Sequence, residues 1–171
     1  MKKGRLMNDK VKRVIKYIAA GLVVFGIGTL ALKAIGTQYG LGVIVTKSLD
    51  KDFFVYTKDW HNKIAKGEII YFNLPVETPY FKKASKFGKI VMCEGGDKLS
   101  TQGLDYYCNG EFIGTAKTID KNGFPVSHFE YNGNIPQGSF FVMGTHPRSY
   151  DSRYWGFVNE SQIQGIAIWS I

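Results

Sequence analysis

The chain of 171 residues is 44% hydrophobic, 15% aromatic and 21% charged, too apolar for a disordered chain and long enough for one domain with an appendage. Its formal net charge of +8 is concentrated at one end: residues 1–36 hold eight Lys/Arg against one acid, residues 37–171 fourteen against thirteen. The nearly neutral remainder excludes the basic footprint of a nucleic-acid-binding domain, and two cysteines exclude a cysteine-rich scaffold or a four-thiolate zinc site.

Residues 1–16 are a basic segment, with Lys2, Lys3, Arg5, Lys10, Lys12, Arg13 and Lys16 against Asp9. Residues 17–32, YIAAGLVVFGIGTLAL, carry no charge, and a snorkelling Lys33 lets the apolar span run to Gly36. Twenty helical residues rise about 30 Å, the thickness of a bilayer's hydrocarbon core. The pattern predicts a transmembrane helix over 17–36 with its basic flank in the cytoplasm and residues 37–171 on the far side. A cleaved secretory signal is the other reading, but KAIGTQYGLG after the span has no Ala-x-Ala site. Both readings export residues 37–171. An oxidising compartment allows a Cys93–Cys108 disulfide; two free buried thiols are the alternative.

The exported part alternates with period two through GVIVTKSL (42–49), FFVYTK (53–58), EIIYFNL (68–74), GKIVMC (88–93), LDYYCNGEFIG (104–114), SFFVMGT (139–145) and GIAIWSI (165–171). GGDK, CNGE, KNGF, YNGN and PQGS read as turns between these strands. Only residues 58–66 have some helical character. The expected fold class is therefore mainly β: one β domain behind one transmembrane helix.

Three segments carry candidate chemistry. Ser48, in VTKSL, follows an apolar strand; a lone serine says little about nucleophilicity. Lys89 opens the apolar run IVMC, which ends in a glycine turn closed by Asp97. A lysine drawn into a dry site loses basicity, because burial disfavours the ammonium, and a neutral amine can act as a general base. An ordinary lysine with its head in water is the plain alternative. In the third segment a strand ending at Gly144 leads into a polar loop with Ser149, Asp151, Ser152 and Arg153. That density of polar groups between aromatic runs predicts a hydrogen-bonded loop against a core, or a structural corner closed by an Asp151–Arg153 pair. His61, His128 and His146 are scattered, no nucleophile-elbow glycine pattern surrounds a serine, and no His/Cys spacing fits a metal. Neither a metal nor a cofactor is expected.

Together these segments resemble the type I signal peptidases, and more narrowly the short, single-span conjugative-transfer signal peptidases that process pilin precursors. RSYDSRYWG, at residues 148–156, is similar to the family's last box, and Lys89, six residues and then Gly96-Asp97 is similar to its general-base box. The order of membrane span, serine, lysine and box also fits. The resemblance implies a signal-peptidase-like β catalytic domain, with Ser48 as nucleophile and Lys89 as general base. It implies an oxyanion hole from Thr46 and the Ser48 N–H, Ser149 orienting the Lys89 amine, and Asp151 and Arg153 supporting the loop. It implies a membrane-anchored serine endopeptidase of the bacterial cytoplasmic membrane, acting on its periplasmic side on leader peptides of exported, pilin-like precursors, with contacts to a conjugation or secretion apparatus. A catalytically degenerate β module that binds such partners is the competing reading. The motifs depart from the family in places. Asp50 stands where a proline is usual, Asp52 near a favoured glycine, Glu94-Gly95 where Leu-Pro is preferred, and Gly144-Thr145-His146-Pro147 where Gly-Asp-Asn-Arg begins the last box.

Overall fold

The computed structural model describes residues 8–61 and 63–171. The chain divides into two units, residues 1–38 and 39–171.

In the first unit, helix α1 runs Asp9–Gln38, 30 residues, and buries none of them. Asn8 begins it: its Oδ1 accepts from the Lys10 N–H at 3.2 Å and its carbonyl from the Val11 N–H at 2.9 Å. Asp9 then places a negative charge in the first turn, where the exposed amide dipoles favour it. The helix thus starts ahead of the apolar run and takes in part of the basic segment. Thirty residues rise about 45 Å, more than the roughly 30 Å apolar core of a bilayer. Along the helix, the hydroxyls of Thr29 and Thr37 donate back to the carbonyls of Gly26 (2.8 Å) and Ala34 (2.6 Å), so each finds a partner within the helix. Among the described residues this is the one helix long and apolar enough to cross a membrane.

The second unit is built from antiparallel strands in two sheets. A seven-stranded sheet has the order β1-β2-β11-β3-β4-β9-β10, from Tyr39–Val43, Phe53–Thr57, Ile163–Ser170, Ile69–Asn73, Lys86–Glu94, Ser139–Met143 and Val158–Asn159. A four-stranded sheet has the order β7-β6-β5-β8, from Glu111–Thr115, Asp105–Cys108, Lys98–Gln102 and Asn132–Asn134. Strand β9, SFFVM, is buried at all five positions and separates two clusters. Phe141 and Met143 pack with Leu99, Tyr106, Ala116 and Ile135 toward the small sheet, whereas Phe140 and Val142 pack with Ile70, Phe72, Val91 and Val158. Such a strand reads as a continuous apolar run because both its faces are covered. The Cys93 and Cys108 sulfurs are bonded, joining β4 of the large sheet to β6 of the small one.

Several local readings change. GVIVTKSL is strand only to Val43; residues 46–50 turn, so Ser48 sits in a turn and not at a strand end. LDYYCNGEFIG is a hairpin that turns within CNGE as expected, with Asn109 (φ 51°) and Gly110 (φ 85°) at its turn, as an Asn-Gly pair favours. YNGN forms β8 and not a turn, because its backbone pairs with β5. The described residues of 58–66 form no helix. A four-residue helix, α2 (Ser152–Trp155), appears instead inside the polar loop, where Asp151 caps it.

Candidate active site

The three segments singled out from the sequence meet around one groove of about 500 Å³, lined by Thr46, Ser48, Lys89, His146 and Ser149, with Phe81, Phe87 and Tyr154 among its apolar walls. Strand β4 delivers Lys89. Phe87, Lys89 and Val91 share one face by the two-residue period, and Val91 is fully buried on it. A register shift between Val91 and Cys93 then turns the strand, so that Cys93 packs in the opposite cluster. The shift lets one strand give a lysine to the groove and a cysteine to the inter-sheet bridge.

Lys89 is 2% exposed, and its Nζ lies 5.4 Å from the Phe87 ring centroid. Burial lowers its pKa from 10.5 to about 8, with Arg153 pushing the same way and Asp151 opposing. The shift has a stability consequence. Below pH 8 the folded state has to carry a desolvated ammonium that the unfolded chain keeps solvated. The shift amounts to about 3 kcal/mol. This penalty is complete below pH 8, fades between 8 and 10.5, and is absent above. Lys89→Met is therefore expected to be more stable than the wild type by about 3 kcal/mol at pH 7, with the difference shrinking toward pH 11. Denaturant unfolding at the two pH values checks this, and a gap independent of pH contradicts it.

Ser48 is 9% exposed. Its N–H donates to the Thr46 carbonyl at 2.6 Å, and its own carbonyl accepts from the His146 N–H at 3.4 Å. The turn is thus held against the loop that follows β9. Gly144 sits at the junction: a Cβ there would collide with the Ser48 carbonyl oxygen and with Ser149 Oγ, so only glycine allows the two serines this approach. Ser149 is 3% exposed, and its Oγ is buried without a hydrogen-bond partner. Among the described residues no hydrogen bond joins Ser48 Oγ, Lys89 Nζ and Ser149 Oγ, so these groups line a common groove without a closed relay.

The loop beneath them is tied by one buried ion pair. The Arg153 Nε and Nη2 donate to the two Asp151 oxygens, both at 2.8 Å. Arg153 Nη1 donates to the Thr115 carbonyl at 2.8 Å and Nη2 also to the Ser149 carbonyl at 3.3 Å. Asp151 Oδ2 accepts from the Gly144 N–H at 3.0 Å. Ser152 Oγ accepts from the Val142 N–H at 2.9 Å, and the Tyr106 hydroxyl lies 2.9 Å from the Arg153 carbonyl. The pair therefore holds both the glycine that seats Ser48 and the carbonyl of Ser149.

His146 lines the groove and is exposed; its part in holding Ser48 is played by its backbone, which its residue type could not reveal. Tyr80 and Phe81 also line the groove, from a segment without motif or strand pattern. His61 stacks on Trp60 and His128 lies 3.3 Å from Glu130, both outside the groove. The described residues hold one cluster with metal-ligand reach, Cys93, Asp97 and Cys108, and the disulfide engages its two sulfurs.

A serine and a desolvated lysine on one groove of a β domain, in a chain with a membrane-length apolar helix, are the parts of a membrane-anchored, signal-peptidase-like protein. The chain belongs to the family described as "Signal peptidase, peptidase S26", which matches residues 11–171. It is 28% identical to the plasmid transfer protein TraF of Escherichia coli over 177 residues, covering 91% of this chain and 96% of that protein. It is 31% identical to a probable signal peptidase I-2 of Synechocystis over 106 residues, covering 60% of this chain and 45% of the relative. A solved signal peptidase I from Enterococcus faecalis aligns with 61% of this chain and 97% of its own, at 24% identity and a TM-score of 0.42.

Proposed function

We propose that the chain is a serine endopeptidase that removes leader peptides from exported precursors, pilin-like precursors of a conjugation system among them. One observation carries the reading: a lysine 2% exposed, with its pKa lowered to about 8, lines the same groove as Ser48. With its pKa lowered to about 8, roughly a tenth of the amine is neutral at pH 7, and that fraction can take the proton of a serine hydroxyl, whereas an ordinary lysine is neutral roughly three-hundredfold less often. In this mechanism the precursor lies extended in the groove. Ser48 Oγ attacks the scissile carbonyl and passes its proton to neutral Lys89. The Thr46 hydroxyl and the Ser48 N–H receive the oxyanion, the latter on exchanging its bond to the Thr46 carbonyl. Lys89 protonates the leaving amine, then activates the water that hydrolyses the acyl-enzyme. Ser149, whose Oγ has no other partner, orients the Lys89 amine. The basic flank of α1 stays in the cytoplasm of a bacterial cell, which sets the β domain on the outer side of the cytoplasmic membrane. Likeness to the plasmid transfer protein TraF over nearly the full length of both chains supports the conjugative setting.

The test is cleavage of a precursor with a small-x-small junction by the full chain in detergent micelles. Because the unprotonated amine is the reactive form, the rate should rise about tenfold per pH unit up to about pH 8 and level above it. A profile flat from about pH 6 to 10 would overturn Lys89 as base. The competing reading, a degenerate module that binds precursors without cutting them, draws on the open relay among Ser48, Lys89 and Ser149. Binding of the precursor with no cleavage at any pH decides for it.

A further inference from the structure

Residues 37–171 as a whole are almost neutral, with fourteen Lys/Arg against thirteen acids, yet the groove is not. Lys47 adjoins Ser48 in the chain, Arg148 adjoins Ser149, and Lys117 and Lys121 come from the segment after β7. All four are exposed, all four line the groove, and none joins a salt bridge among the described residues. A single acid lines it with them. That acid, Asp120, is already engaged: Oδ1 accepts from the N–H groups of Asn122 (2.8 Å) and Phe124 (2.9 Å), and Oδ2 from the Tyr80 hydroxyl (3.0 Å). Four exposed cations therefore face one carboxylate around an opening whose walls are apolar, four positive charges against one negative. Clefts lined by one sign of charge concentrate the opposite charge and speed its capture, by roughly ten- to a thousandfold at low salt.

We propose that this groove selects precursors carrying Asp or Glu within a few residues of the scissile bond, their carboxylates pairing with Lys47, Lys117, Lys121 and Arg148. This selectivity rests on the assignment of Ser48 and Lys89 as the catalytic pair, because it places the acidic side chains beside the bond those residues act on. The apolar walls take the uncharged side chains of the same segment, and alternate side chains of an extended peptide point to opposite sides. A peptide is the occupant because the cations line a concave groove rather than a flat patch that could lie on a lipid surface.

The experiment uses the full chain in detergent micelles and three peptides with one shared small-x-small junction. Their flanking positions carry Asp/Glu, uncharged polar residues or Lys. The acidic peptide should exceed the uncharged one in kcat/KM by about tenfold at low ionic strength, with the Lys peptide slowest, and the advantage should collapse at about 0.5 M salt. The Lys117→Glu/Lys121→Glu double variant should bring the ratio of acidic to uncharged kcat/KM to about one or below, whereas Lys98→Glu, on β5 and outside the groove, should keep it. Equal rates for the acidic and uncharged peptides, or a preference unmoved by the double variant, overturn the proposal while leaving the peptidase intact. So does loss of binding to anionic vesicles by the double variant with the peptide ratio unchanged. Failure to cut any of the three peptides counts instead against the catalytic pair.

Discussion

Ser48→Ala and Lys89→Ala should each reduce precursor cleavage to background, a loss on the order of 10⁴-fold or more. Ser48→Ala removes the only hydroxyl the mechanism uses as a nucleophile. Lys89→Ala removes the buried amine of the groove, whose pKa burial lowers to about 8; the other lysines lining the groove are exposed. In the proposed mechanism nucleophile and base act as one unit, so the double variant should fall no further than either single one. Lys89→Arg should be just as inactive, since a guanidinium stays charged at every accessible pH. The folding readout separates chemistry from collapse. Ser48→Ala deletes one oxygen at a position with 9% exposure and should unfold within about 1 kcal/mol of the wild type. Either alanine variant cutting at the wild-type rate ends the assignment of these two residues.

Breaking the Asp151–Arg153 pair is expected to have the largest effect on stability. Asp151 is fully buried and Arg153 is 3% exposed, so removing one partner strands the other charge where water cannot reach it. Asp151→Ala or Arg153→Ala should each destabilise by about 3–5 kcal/mol. Replacing both with apolar residues of similar volume should cost much less than the sum of the singles, because no lone charge remains. Chemical denaturation of the two singles and the double measures this coupling, and additive losses would refute it. Cleavage should not recover in the double variant even where the fold does. The Gly144 N–H and the Ser149 carbonyl both depend on this pair, and between them they set how the turn bearing Ser48 meets the groove.

Much of the fold was legible in the sequence. The uncharged run within residues 17–36 announced a membrane-length helix, because its signal is local. Seven alternating segments pointed to strands, and strand structure lies within each of them. Turn chemistry was less secure. Asn109-Gly110 turned, but Asn132-Gly133 in YNGN was drawn into a ladder by β5, a partner its own residues do not reveal. The segment of residues 42–49 kept its period two past Val43, yet the backbone there turns toward the loop after β9. Short α2 was hidden for a similar reason. Its start depends on Asp151 as cap, and that carboxylate is held by Arg153 and the Gly144 N–H.

The candidate site divides along the same line. Ser48, Lys89, Ser149, Asp151 and Arg153 were named as candidates by the resemblance of their motif boxes to those of the signal peptidases, which the linear sequence carries whatever surrounds it. The sequence likewise determined that charge piles up in the first 36 residues and that the rest is near neutral. Only the tertiary structure decided that Lys89 is dry, that Gly144 lets two serines crowd one spot, and that four cations drawn from distant segments ring a single groove. The reason is that basicity, close approach and local field are set by neighbours in space. A lysine's pKa depends on the water it has lost, and no stretch of chain records which other stretches will displace that water.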